Sequence, residues 1–171
     1  RMGIFAMATG TGKTVTSLNC ALHEFQEDGF YHLLILVPTL DLVEQWNGEL
    51  YNFNFKKVIG VSSLNNSWRR ELVELSQRVK RGRIVNFAII STYDSFVNKD
   101  FQQLLPSFSD NLILIADEAH NIGGGKVAQR LSDIVYFRRI GLSATPERQF
   151  DDEGNNRLKE FFGCDGDYTF E

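Results

Sequence analysis

The chain has 171 residues, of which 43% are hydrophobic and 23% charged, an ordinary balance for a globular protein and a length that fits one domain burying about 70% of its unfolded surface. Its 18 basic and 22 acidic residues leave a net charge of −4, which excludes a global basic field, so any nucleic-acid binding must come from a local face. Cys20 and Cys164 are too few for a disulfide framework and suit a reducing, cytoplasmic compartment, and neither a long apolar run nor a leader points to a membrane.

In chain order, Gly3–Met7 reads as a short apolar strand running into a glycine loop. Lys13–Glu27 carries Val15, Leu18, Leu22 and Phe25 at helical spacing and ends near Gly29. His32–Val37 is a continuous apolar run, the pattern of a strand buried on both faces, and Pro38 stops it. Leu40–Phe53 is helical by Val43, Trp46, Leu50 and Phe53, Lys57–Val61 is a short strand, and Ser62–Ser67 a polar loop. Trp68–Lys80 places Trp68, Leu72, Leu75 and Val79 on one helical face, with Gly82 beyond its end.

Ile84–Ile90 is the next expected strand, followed by Ser91-Thr92-Tyr93 in a loop. Phe101–Leu105 reads as a brief helix ended by Pro106, and Leu112–Ala116 as an apolar strand ending at Asp117. The glycine-rich Gly123–Gly125 leads to a helix around Ala128–Val135, and Arg138–Leu142 is the last strand before Ser143. Strands alternating with helices predict an α/β fold: one mostly parallel sheet with helices on both faces, in a single domain over 1–171.

The segment Ala8-Thr9-Gly10-Thr11-Gly12-Lys13-Thr14 lies between a strand and a helix, the context of a phosphate-cradling loop. Gly10 and Gly12 allow backbone N–H groups to converge on phosphate oxygens, and the helix start adds unpaired donors and a positive dipole end. Lys13 would reach the β- and γ-phosphates and the Thr14 hydroxyl would ligate Mg²⁺. Met7 stands where the usual pattern has its first glycine. Gly123-Gly124-Gly125-Lys126 lacks a following Ser or Thr and reads as a loop without that chemistry.

Asp117 ends a parallel strand, where side chains are delivered to the ligand crevice, and one carboxylate there can hold Mg²⁺ through water. The next residue, Glu118, can orient and deprotonate a water attacking a γ-phosphate. His120 alone reads as a surface histidine; beside these acids it is expected to link nucleotide state to movement. Arg78, Lys80, Arg81 and Arg83 form a basic cluster whose simpler reading is a solvated helix end, with cations at the negative dipole.

In order, Ala8–Thr14, Asp117–His120 and Ser143–Thr145 resemble motifs I, II and III of helicase superfamily 2. Val37-Pro38-Thr39-Leu40 resembles its motif Ia and Ser91-Thr92-Tyr93 lies near motif Ic, so the chain is similar over essentially its whole length to the superfamily's first RecA-like motor domain. Asp117-Glu118-Ala119-His120 has the DEAH-box form. Met7–Thr14 and Gly141–Arg148 look most like the motor subunits of type I and type III restriction enzymes and related DNA translocases.

The resemblance implies a P-loop NTPase with ATP and Mg²⁺ as cofactors, working as a helicase or translocase on DNA in preference to RNA, in restriction or repair. An RNA helicase and a nucleotide-dependent sensor of nucleic acid that does not unwind are the alternatives. It further implies that Thr9, Gly10, Thr11, Gly12, Lys13 and Thr14 bind ATP, with catalysis by Lys13, Asp117 and Glu118. His120, Ser143 and Thr145 would couple that site to the nucleic-acid side, where Pro38, Thr39 and Thr92 would meet the phosphate backbone of one strand without reading sequence. A threonine after Pro38 can equally cap the following helix, and Ser143 and Thr145 can be turn-formers. In the family an adenine-recognising segment lies upstream of motif I and a second motor domain with an arginine finger lies downstream. The chain is therefore expected to be a fragment, with that second motor domain and restriction-complex subunits as its partners.

Overall fold

A computed structural model describes residues 2–8, 10–83, 85–123, 125–144 and 151–163. Six strands form one sheet: β1 (Met2–Ala6), β2 (His32–Val37), β3 (Val58–Val61), β4 (Phe87–Thr92), β5 (Leu112–Asp117) and β6 (Arg138–Ser143), in the order β1-β6-β5-β2-β4-β3. Every neighbouring pair is parallel. Each strand must therefore return through a crossover, and the intervening helices cover both faces.

The three central strands β2, β4 and β5 are buried along their full length, as continuous apolar runs require when both faces are covered. Their side chains alternate between two cores. Leu33, Ile35 and Val37 of β2 face Leu18 and Ala21 of α1 (Lys13–Asp28) and Val43, Trp46 and Leu50 of α2 (Leu40–Asn52). Leu34 and Leu36 face the other way, onto Trp68, Leu72 and Leu75 of α3 (Trp68–Lys80) and Phe162 of the last helix. At Gly141 the second layer closes tightly: a Cβ there would lie 3.1 Å from Ile4 and 3.3 Å from both Ala119 and Phe162.

Several expectations are corrected. On α1 the buried residues are Lys13, Ser17, Leu18 and Ala21, while Val15 and Phe25 are exposed, so the inward face is rotated away from the predicted apolar stripe. Ser91 and Thr92 are not loop residues; β4 runs through them, and both are buried. Ile84, its expected first residue, lies outside the described residues. Tyr93 opens a short helix, α4 (Tyr93–Phe96). The next helix, α5, spans Lys99–Leu104, and a 3-10 segment, Leu105–Asn111, continues through Pro106 instead of stopping there.

Ala119–Gly123 forms a second 3-10 segment where a glycine loop was expected to begin, and Gly125 already belongs to α6 (Gly125–Ser132), which ends before Val135. The sequence reading has no counterpart for α7 (Asp152–Phe162). Asp151 caps α7 by accepting the Gly154 N–H, and Gly163 closes it with φ 66°. Its Leu158 and Phe162 complete the second core.

Candidate nucleotide site

The C-terminal edge of the sheet gathers the predicted residues. β1 delivers the glycine loop, and the Met7 N–H donates to the Ser143 carbonyl at 3.1 Å, tying the loop's entrance to the end of β6. Within the loop, the Thr11 hydroxyl donates to the Ala8 carbonyl at 2.6 Å. Gly10 and Gly12 have φ of 80° and 91°, a conformation that a side chain would strain. Thr9 lies outside the described residues.

Gly12 stands at the N-cap of α1, and no side chain caps that helix start. The contrast with α2 is instructive: there Thr39 accepts the Leu42 N–H at 3.4 Å. The first turn of α1 thus keeps its amide donors and positive dipole end for something else, an arrangement suited to an anion.

Lys13 is only 9% exposed. Its Nζ lies 3.6 Å from Glu118 Oε1, yet it has no hydrogen-bond partner. A buried ammonium without hydrogen bonds is costly, and a phosphate oxygen is the acceptor that this setting fits. Thr14 follows on the same turn, half-buried.

β5 ends at Asp117. Its Oδ2 accepts the Trp46 indole N–H at 2.9 Å and its Oδ1 accepts the Glu118 N–H at 3.0 Å. A carboxylate has about four acceptor positions, so each oxygen keeps one for a cation or its water. Burial pushes the Asp117 carboxyl up, opposed by the Trp46 and Glu118 hydrogen bonds and by Lys13. Glu118 sits at φ 48°, a left-handed backbone costing about 1–3 kcal/mol in a non-glycine residue. The Asn121 N–H and side-chain amide both donate to the Glu118 carbonyl at 2.9 Å, which holds the turn.

That turn aims Glu118 at Lys13 with one carboxylate oxygen and places the other 3.5 Å from His120 Nδ1. The same His120 nitrogen is 3.1 Å from Ser143 Oγ. Lys13, Asp117, Glu118, His120 and Ser143 therefore form one connected set, whereas Thr145 lies outside the described residues. Among the described residues, no group of three or more His, Cys, Asp or Glu side chains could cage a metal. A hydroxyl and one carboxylate suit Mg²⁺, which keeps most of its ligands as water and phosphate oxygen.

Pro38 and Thr92 come together as well. Val37 and Thr92 are in register on β2 and β4, and Pro38, Ser63, Thr92 and Asn98 line a notch of about 450 Å³ at that end of the sheet. The Thr92 hydroxyl is already engaged, accepting the Ser95 N–H at 3.1 Å to cap α4. Thr39 and Thr92 are thus both helix caps beside the notch. Arg78, Lys80, Arg81 and Arg83 are exposed, and they lie at the opposite pole because α3, the crossover between the parallel strands β3 and β4, must run back antiparallel to them.

Sequence reasoning missed two residues of the site. Trp46 entered only as an apolar helix position and Tyr93 as part of a loop. In fact the Tyr93 hydroxyl donates to the Asp117 carbonyl at 2.8 Å, and burial, with the Asp117 and Glu118 carboxylates, pushes that phenol far up. The available signal was general: a buried Trp or Tyr needs a partner for its polar tip.

A parallel sheet that gathers a glycine loop, a lysine and two consecutive acids at its C-terminal edge defines a RecA-like phosphate-loop motor domain. Residues 1–148 match the family model described as type III restriction enzyme, res subunit, and the chain belongs to that family, whose motors use ATP. Over 151 residues it is 36% identical to a protein of Methanocaldococcus jannaschii assigned as the type I restriction enzyme MjaIXP endonuclease subunit, covering 85% of this chain and 13% of that protein. A protein of Haloarcula marismortui assigned as the DNA 3'-5' helicase Rad25 is 30% identical over 151 residues, 88% of this chain and 21% of that one. The fold is shared with the Sulfolobus solfataricus SWI2/SNF2 ATPase core solved with double-stranded DNA, at a TM-score of 0.70 and 18% identity over 94% of this chain and 31% of that chain. The chain spans between 13% and 21% of the length of these two curated relatives. No helix among the described residues is long and apolar enough to cross a membrane.

Proposed function

We propose that this chain is the first motor domain of a larger DNA-dependent ATPase, a helicase or translocase of restriction or repair, with a second motor domain in the same polypeptide. The observation that carries the reading is the uncapped start of α1 beside a buried Lys13 ammonium that has no hydrogen-bond partner, facing Glu118. The Thr9–Thr14 backbone and Lys13 would hold the β- and γ-phosphates of ATP. Thr14 and Asp117 would hold Mg²⁺, which when bound neutralises developing phosphate charge. Glu118 takes a proton from the attacking water. Through His120, Ser143 and Thr145 this site would communicate with a nucleic-acid face at Pro38, Thr39 and Thr92.

DNA is favoured over RNA because relatives are assigned as restriction and DNA-helicase proteins. The family supports restriction-complex subunits as partners, and the tetrapeptide Asp117-Glu118-Ala119-His120 supports the DEAH-box reading. Cys20 is a free thiol, which suits a cytoplasmic location.

The intact protein should hydrolyse ATP slowly alone and faster with DNA, and should displace a triplex-forming strand along a duplex. The domain cut at residue 171 should show only background turnover, because an arginine finger from a facing domain is worth about 10³–10⁵ in rate. Stimulated hydrolysis without displacement would favour a sensing switch. Robust DNA-stimulated turnover by these residues alone would sink the two-domain reading.

A further inference from the structure

Two hydrogen bonds converge on Asp117 from the two segments that flank the notch. Helix α2 is capped by Thr39, next to Pro38. About two turns later it presents Trp46, whose indole N–H donates to Asp117 Oδ2 at 2.9 Å. Strand β4 ends at Thr92, and the next residue, Tyr93, donates its hydroxyl to the Asp117 carbonyl at 2.8 Å. Because β2 lies between β4 and β5 in the sheet, the Tyr93 bond spans a whole strand.

Neither aromatic needs its polar atom for packing. Trp46 is 1% exposed among Leu33, Ile35, Leu50 and Ile115, and Tyr93 is buried with Phe96 in the second core. A phenylalanine would fill the space of Tyr93, and at Trp46 it would keep one aromatic ring in the core at the cost of a small cavity. One tether holds the side chain of Asp117 and the other its main chain, so a shift of α2 or of the Thr92–Tyr93 corner moves the carboxylate.

We propose that Trp46 and Tyr93 are positioning residues that aim the Asp117 carboxylate at the nucleotide-bound magnesium and make its aim depend on nucleic acid seated at the notch. This rests on the reading of Asp117 as a magnesium-holding residue and of Pro38, Thr39 and Thr92 as the nucleic-acid face.

The test is a Mg²⁺ titration of fluorescent-ADP binding to the intact protein, with and without single-stranded DNA. Wild type is compared with Trp46→Phe, Tyr93→Phe and Asp117→Asn. Loss of a residue that orients a metal ligand typically weakens the metal about 10–100-fold. Trp46→Phe should therefore raise the half-saturating Mg²⁺ at least about tenfold, while nucleotide affinity at saturating Mg²⁺ is kept. Tyr93→Phe, which keeps its ring and so the fold, should shift the midpoint the same way. DNA should lower the wild-type midpoint and do so far less in both variants.

A purely structural role would reduce thermal stability and leave the magnesium midpoint in place. If both phenylalanine variants titrate like wild type while Asp117→Asn does not, this inference falls and the metal assignment stands. If Asp117→Asn also titrates like wild type, the metal assignment itself is wrong. Shifted midpoints with an undiminished DNA response would overturn the dependence on nucleic acid.

Discussion

Lys13 Nζ and Glu118 Oε1 stand 3.6 Å apart at the mouth of the glycine loop, an ion pair in which the ammonium has no hydrogen bond of its own. In the proposed function the pair would hold the Lys13 ammonium over the place of the phosphates. Lys13→Ala should abolish nucleotide binding and leave the fold intact, with the melting temperature within roughly 4 °C of wild type, a change of about 1 kcal/mol in a domain of this size. Nucleotide titration and a thermal melt check both halves. Unchanged affinity would rule out Ala8–Thr14 as the phosphate site.

Glu118→Gln in the intact protein should bind ATP and DNA and then stall, because an amide cannot take the water's proton. General-base removal typically costs about 10²–10⁴ in turnover. Since the left-handed turn at Glu118 is held through its main-chain carbonyl by Asn121, the amide should be placed where the carboxylate was. Near wild-type turnover would make Glu118 something other than the base.

DNA binding by this domain alone should be weak and only gently salt-dependent. With about two to three phosphate contacts, log K against log salt on single strands should have a slope of roughly −1.4 to −2.1. Arg78, Lys80, Arg81 and Arg83, at and just beyond the C-terminal end of α3, lie at the far pole from the notch, so they should add nothing. A steep slope that flattens in an Arg78→Ala, Arg81→Ala double variant would show that this pole is a binding site after all.

His32 gives the fold an acid-sensitive point. It is buried at the start of β2, with its ring stacked 4.4 Å from that of Phe87. Burial lowers its pKa below the usual 6.5, against a backbone hydrogen bond at Val85. The unfolded chain therefore takes up this proton first. Stability from this site is full above about pH 6.5 and drains away as pH falls toward the lower folded-state pKa. His32→Phe should flatten the fall in melting temperature as pH drops below about 6.5. Parallel curves for the two proteins would place the acid sensitivity elsewhere.

The central strands were legible because burial on both faces leaves an uninterrupted apolar run, as in His32–Val37 and Leu112–Ala116. The glycine loop and the two acids were legible because their chemistry is local in sequence. Helix α7 was not: it begins with Asp152, Glu153, Gly154, Asn155 and Asn156, several of them poor helix formers, and it is held by Leu158 and Phe162 in a core assembled from distant strands. The last two residues of β4 were missed because Ser91 and Thr92 are polar, yet the sheet buries them. Trp46 and Tyr93 lie 71 and 24 positions from Asp117 in the chain, and no periodicity announces which polar atom a buried aromatic will meet.

The pairing of β1 has a consequence for synthesis. Met2–Ala6 is in register with Arg139–Ser143, and the Met7 amide is anchored on the Ser143 carbonyl. Among the described residues β1 pairs with β6, so the entrance of the loop waits for a strand made much later in this domain. Strands β2, β3, β4 and β5 can pair before that moment; the phosphate loop cannot take its seat. A nascent chain halted before β6 would carry the loop's residues without the strand that holds β1 in register, so in the proposed function it should not yet hold nucleotide.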